Sequence, residues 1–260
     1  MLQDIRVFLS DMDGTFCLGN QLLPGALQFA KVLREQGKRL YFVTNNSSHR
    51  AIFYAERLRS LGLDSCTPDY IITSTDSCIF HLQKTYPRAR VFLLASREVA
   101  IDFLRGGFTL VTENPDIVVL CFDTTLTYWK LAKACAFLRK GTPFFATHPD
   151  FNCPTEDGEL IDAGSLVEAI KASTGRVPRY FGKPCPEMIE YVLWRTGARK
   201  EELAILGDRL YTDIAMGQQA GITTILLLTG ETRKDDLENS PWKPDFVFSS
   251  LEELAQNLGR

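Results

Sequence analysis

The stretch Ile5–Thr15 constrains the fold more than any other: the apolar run Ile5-Arg6-Val7-Phe8-Leu9 leads straight into Ser10-Asp11-Met12-Asp13-Gly14-Thr15. A run rich in β-branched and aromatic residues that stops at a glycine reads as a buried strand ending in a turn. Side chains two apart on an extended backbone share a face, so Asp11 and Asp13 project together from the carboxyl end of that strand. Asp and Gly are also ordinary turn residues. Their place at the end of a strand near the start of the chain marks a candidate site, because open α/β sheets bind ligands at strand carboxyl ends. Two carboxylates held together repel, and one takes up a proton unless a cation lies between them. Hard oxygen ligands of this kind suit Mg²⁺, which keeps several waters and takes few protein carboxylates. Gly14 lets backbone N–H groups come close to an anion.

Strand-like and helix-like patterns then alternate with short connections, which predicts a parallel sheet flanked by helices. Pro24 opens a helical pattern with Ala26, Leu27, Ala30 and Leu33 on one face, ended by Gly37. The strand Arg39-Leu40-Tyr41-Phe42-Val43 stops at Thr44-Asn45-Asn46-Ser47-Ser48. Asn and Ser make turns, and Ser47 or Ser48 would equally cap a helix running from about Arg50 to Leu61. Thr44 also stands where Asp11 stands, just beyond an apolar strand, and its hydroxyl with the following N–H groups suits a phosphoryl oxygen. A strand at 70–73 and a helix at 75–84 precede Tyr86-Pro87, which reads as a boundary.

A second α/β pattern runs from Ala89 to Thr174, with strands at 90–94, 116–120 and 143–146 and helices near 97–104, 127–138 and 163–172. Between the last strand and helix lie the loop His148-Pro149-Asp150-Phe151-Asn152-Cys153-Pro154 and the turn Asp157-Gly158. An insert with its own strands and helices, ~90 residues long, suffices for a small domain. The chain is therefore expected to divide into a core at 1–85, an inserted domain at 86–177 and the rest of the core at 178–260. The core resumes at Gly182-Lys183-Pro184, and the apolar strand Leu203-Ala204-Ile205-Leu206 ends in Gly207-Asp208, with Asp213 beyond. Asp208 alone reads equally as a helix cap. Asp11, Thr44 and Asp208 at successive strand ends, with a Gly-bounded Lys183, form a pattern that turn chemistry does not require.

Composition excludes several classes. The formal net charge is −3, with no basic block or aromatic-interleaved basic stripe, which argues against nucleic acid. The start, Met1-Leu2-Gln3-Asp4, has no signal-peptide pattern, and no apolar run nears the ~20 residues that span a bilayer. Seven cysteines without a Cys-x-x-Cys pair argue against a disulfide framework or zinc site and predict a cytoplasmic protein. No Walker loop or dinucleotide fingerprint supports a kinase or dehydrogenase.

The motifs resemble the haloacid dehalogenase superfamily of phosphotransferases. Asp11-Met12-Asp13-Gly14-Thr15 is similar to its first motif, Thr44 to its second, Lys183 to its third, and Gly207-Asp208 with Asp213 to its last; Thr44-Asn45-Asn46 is closer still to subfamily IIA, the NagD-like or nitrophenylphosphatase-like branch. The resemblance implies a Rossmann-like, doubly wound parallel sheet with an inserted α/β cap domain, and a Mg²⁺-dependent phosphatase acting on small phosphorylated metabolites such as sugar phosphates or nucleotide monophosphates. It implies Asp11 as nucleophile and Asp13 as general acid and base, with Mg²⁺ on Asp11, the Asp13 carbonyl and Asp208, and Asp213 behind the metal. Lys183 and Thr44 would brace the phosphoryl group. Gly14, Asn45, Asn46 and, on the cap loop, His148 and Asp150 are the expected substrate contacts; many subfamily members have Asn where this chain has His148. Phosphoryl transfer to another hydroxyl, or binding of a phosphometabolite without catalysis, are the rival functions. A homo-oligomer is left open.

Overall fold

The computed structural model describes residues 2–155 and 158–259, so Met1 and Asp157 of the sequence reading lie outside the described residues. The chain forms two compact units. The first gathers the chain up to Thr44, Ala51–Ile72 and the chain from Ile189 onward; the second gathers Asn45–Arg50 and Thr73–Met188. The expected insert at 86–177 falls within the second unit, which also takes in residues 73–85, 178–188 and the short stretch 45–50.

The sheet of the first unit has six strands in the order Phe246–Phe248, Thr223–Leu227, Leu203–Gly207, Val7–Ser10, Arg39–Thr44 and Ile71–Thr73. Pairing is parallel from Phe246–Phe248 across to Arg39–Thr44. Val7–Ser10 is buried along its whole length, as a central parallel strand covered on both faces must be. From it the chain first builds outward through Arg39–Thr44, then returns to its other side at Leu203–Gly207. Strand order therefore reverses between Val7–Ser10 and Leu203–Gly207, and the carboxyl ends of these neighbours flank the crevice where such sheets bind ligands.

Helices cover the sheet because their apolar residues recur at helical spacing. In Ala26–Glu35 the buried residues are Ala26, Phe29 and Leu33, one stripe of the helix. Phe29 meets Phe8 edge to face at 5.7 Å, and Phe16 meets Phe42 at 4.8 Å in the same core. The second unit has a five-stranded parallel sheet, ordered Arg179–Tyr180, Phe144–Ala146, Ile117–Leu120, Arg90–Leu94, Thr109–Leu110. Side chains alternate across it, Phe92, Leu94, Val118 and Leu120 entering one core and Val91, Ile117 and Val119 the other. An antiparallel hairpin pairs Asn152–Thr155 with Gly158–Ile161, where the sequence predicts a loop.

Candidate active site

Two neighbouring strand ends of the first unit bring its carboxylates together. The Asp11 N–H donates to Leu206 O at 2.9 Å, which extends the parallel ladder by one residue and seats Asp11 beside the neighbouring strand's end. Asp208 follows that strand directly. Asp213 sits in a π-helical turn, Leu210–Ile214, where the sequence predicts the start of a helix. The rival reading of Asp208 as a helix cap does not hold, because its Oδ2 accepts the Glu231 N–H at 2.8 Å instead. Asp11, Asp208 and Asp213 offer carboxylate oxygens that lie within 4.8 Å of one another.

Burial pushes the Asp208 carboxyl up to about 6, and the Asp11 charge pushes the same way, against the Glu231 N–H and Arg209, which favour the carboxylate. Crowded carboxylates of this kind are stabilised together by a divalent cation. The donor set is all oxygen, as a hard cation requires, so the residues present fit one.

Asp13 points to a different partner. Its Oδ1 accepts from Arg57 Nη2 at 2.8 Å, and the same Nη2 donates to Gly19 O at 2.5 Å. Arg57 lies on the helix Ala51–Ser60, and burial lowers its pKa less than the Asp13 hydrogen bond and charge raise it, so the net direction is up. Gly14, at φ +85°, sits against the same crevice: a Cβ there would stand 2.6 Å from Asp208 Oδ2. Only glycine adopts that conformation readily, and only glycine leaves the room. Thr44 is the buried last residue of its strand.

The remaining expected residues belong to the second unit. Asn45 clasps the backbone of Lys183: its Oδ1 accepts the Lys183 N–H at 2.8 Å and its Nδ2 donates to the Lys183 carbonyl at 2.9 Å. The same Nδ2 donates to both Asp150 oxygens, at 3.1 and 3.2 Å. Asn46 Oδ1 accepts from Ser48 N–H at 3.0 Å and from its hydroxyl at 2.6 Å, while Nδ2 donates to Cys153 Sγ at 3.4 Å. Ser47 does not act through its hydroxyl as a helix cap; it accepts the Phe122 N–H and meets the Thr147 hydroxyl, both at 2.8 Å.

His148 differs from its expected place at the substrate. Its ring is fully buried, with Nε2 at 2.8 Å from Asp162 Oδ1 and Nδ1 at 3.0 Å from the Thr147 hydroxyl. Burial lowers the imidazole pKa, and the charge and hydrogen bond of Asp162 outweigh it, so the net shift is upward. Asp162 also caps the helix Ala163–Thr174 by accepting the Ala163 N–H at 2.5 Å. The pair ties the loop to that helix.

Several residues in contact with these groups escape the sequence reading. Arg57 stands 44 residues from Asp13 on a helix whose own pattern explains it as surface. Thr15 Oγ1 donates to Asp208 Oδ1 at 3.2 Å. The segment Thr229-Gly230-Glu231 follows the apolar strand Thr223–Leu227, and that further strand end is the one local signal that points to it.

The family model for haloacid dehalogenase-like hydrolases matches residues 8–109, and a HAD-hydrolase-like model matches residues 180–254. The acid sugar phosphatase of Staphylococcus aureus is 32% identical over 258 residues, 99% of each chain. The 4-nitrophenylphosphatase of Thermotoga maritima superimposes with TM-score 0.94 at 49% identity over 98% of each chain. A putative nagD protein superimposes with TM-score 0.92 at 45% identity over 100% of each chain. The glycerol phosphate phosphatase of Mycobacterium tuberculosis, solved in complex with magnesium, gives TM-score 0.91 at 31% identity over 98% of this chain and 78% of that one. The chain belongs to the haloacid dehalogenase-like hydrolases, in the branch of NagD and the 4-nitrophenylphosphatases. Phosphatases of this family use a divalent metal, which agrees with the oxygen donors at Asp11, Asp208 and Asp213.

Proposed function

We propose that the protein is a Mg²⁺-dependent phosphatase that hydrolyses small phosphate monoesters, sugar phosphates among them, through an aspartyl-phosphate on Asp11. The observation that carries this reading is the gathering of Asp11, Asp208 and Asp213 within 4.8 Å of one another at the reversal point of the sheet. Asp11, the Asp13 carbonyl and Asp208 would hold Mg²⁺, with Asp213 behind it. Bound there, the cation supplies a Lewis acid for the phosphoryl oxygens.

The side chains take the remaining tasks. An Asp11 oxygen attacks phosphorus, the ester P–O bond breaks, and Asp13 gives its proton to the leaving oxygen. Asp13 then takes a proton from the water that attacks the aspartyl-phosphate, which releases phosphate and regenerates the Asp11 carboxylate. Lys183 and the Thr44 hydroxyl are assigned to the phosphoryl oxygens, where charge builds in the transition state. Gly14, Asn45 and Asn46 are assigned to the same end of the substrate, and Asp150 to its leaving group. Their motifs support these roles, and Asn45 supports Lys183 through the backbone clasp. None of the seven cysteines forms a disulfide, which supports a reducing cytoplasmic setting. Among the described residues, no helix is long and apolar enough to cross a membrane.

The test is phosphate release from 4-nitrophenyl phosphate with Mg²⁺ or with excess chelator, in the unaltered protein and in Asp11→Asn. Activity should vanish in chelator and in the variant, because an amide cannot form the acyl phosphate. Wild-type rates in chelator, or a variant within about tenfold of wild type, would overturn the reading. Adding an alcohol and counting free against transferred phosphate separates hydrolysis from transfer, and no release of either kind from a phosphometabolite panel would leave binding without catalysis.

A further inference from the structure

We propose that the loop Thr229-Gly230-Glu231 is a positioning device that fixes Asp208 for the divalent cation; this rests on Asp208 being a metal ligand. Thr223–Leu227 pairs in parallel with Leu203–Gly207, Gly207 opposite Leu226, so the loop leaving one strand runs beside the aspartate leaving the other. Two bonds tie this segment to Asp208 and a third ties it to Gly14. The Glu231 N–H donates to Asp208 Oδ2 at 2.8 Å, the Thr232 N–H donates to the Asp208 carbonyl at 3.2 Å, and the Thr229 hydroxyl donates to the Gly14 carbonyl at 2.7 Å.

Gly230 makes this approach possible. A Cβ at Gly230 would overlap Asp208 Oδ2, so the carboxylate is held between two glycines, Gly14 and Gly230. The loop is anchored from outside as well. Glu231 Oε1 accepts the Tyr211 hydroxyl at 2.7 Å, and Oε2 lies 2.9 Å from Arg209 Nε.

The bonding leaves Asp208 fixed but not saturated. A carboxylate has about four acceptor positions, and the Glu231 N–H and Thr15 hydroxyl take one on each oxygen. The Asp208 N–H is a further partner, and the carboxylate keeps acceptor capacity for a cation. A ligand carboxylate oriented by such partners binds metal more tightly than one free to rotate, and losing an orienting partner costs roughly 10–100-fold in affinity or activity.

The test titrates the full chain with Mn²⁺ alone, following the free ion by electron paramagnetic resonance, for wild type, Gly230→Ala, Thr229→Val and Thr229→Ser. Gly230→Ala should weaken Mn²⁺ binding by roughly 10–100-fold and Thr229→Val by the lower end of that range, while Thr229→Ser restores binding. In turnover of 4-nitrophenyl phosphate the weakened variants should need more Mg²⁺ for half-saturation yet approach the wild-type kcat when saturated. Should Gly230→Ala not fold by circular dichroism, the Thr229 pair carries the test. Folded variants that bind Mn²⁺ as wild type does would overturn the proposal while leaving the phosphatase reading intact. No Mn²⁺ binding by the wild type would overturn the metal role of Asp208, and this proposal with it.

Discussion

At the residue scale, the two carboxylates of the first motif have parted company. Asp11 joins Asp208 and Asp213, whereas the Asp13 side chain turns to Arg57 at 2.8 Å. Side chains two apart start on one face of an extended strand, but Gly14 and the turn that returns through Phe16 and Cys17 to the Met12 carbonyl end the strand there. Asp13→Asn should lower kcat by roughly 10²–10⁴ for alkyl phosphates, the range for a lost general acid and base. The fall should be smaller for 4-nitrophenyl phosphate, whose leaving group needs no proton; equal falls for both substrates would remove Asp13 from that role. Asn45 offers a second residue-scale test. Its side chain satisfies both backbone groups of Lys183, and buried backbone groups stripped of partners cost about 1–3 kcal/mol each. Asn45→Ala should therefore lower the urea midpoint and kcat together, and a variant of unchanged stability would show that the clasp is dispensable.

At the element scale, the regular parts of the chain are legible and the long-range ones are not. The strand Arg90–Leu94 has the predicted bounds, and the helices Arg97–Arg105 and Tyr128–Arg139 end within a residue of the expected ends, because apolar spacing and caps are local signals. The hairpin at Asn152–Thr155 and Gly158–Ile161 reads as a loop because Pro154 breaks the strand pattern and the second strand is exposed along its length. Beyond Asp213 the sequence reading assigns no functional residue. Thr229-Gly230-Glu231 gains meaning only when sheet order sets Thr223–Leu227 beside Leu203–Gly207, and no local pattern carries that order. His148 is a different case: a polar residue after a strand looks like a contact, and tertiary packing shows its ring buried against Asp162. Its folded pKa lies above the ordinary value, so the His148–Asp162 bond adds stability that is complete below about pH 6.5 and is lost as pH rises through the folded pKa. Thermal midpoints taken at increasing pH should fall through that window in wild type and lose this component in His148→Asn. An unchanged slope in the variant would assign the dependence to another group.

At the scale of the whole molecule, chemistry and chain path coincide at two points. The chain first leaves the first unit between Thr44 and Asn45, in the middle of the second motif, re-enters it for Ala51–Ile72, and returns finally after Met188, shortly beyond Lys183. Asp11, Asp13, Thr44, Asp208 and Asp213 thus belong to one unit, and Asn45 and Lys183 to the other. The sequence alone reveals the motifs but not this partition, because 45–50 is too short to register as part of a domain. The central claim concerns the first unit: Asp11 carries the phosphoryl group. It is tested most directly by quenching Asp13→Asn in acid during turnover of 4-nitrophenyl phosphate with Mg²⁺ and measuring the mass of its peptides. The variant forms the intermediate from a good leaving group but lacks the base that activates water. The account predicts one phosphoryl group on the peptide containing Asp11, absent when Asp11 is also changed to Asn. Release of 4-nitrophenolate with the phosphoryl group on another residue, or turnover that persists without Asp11, would contradict it.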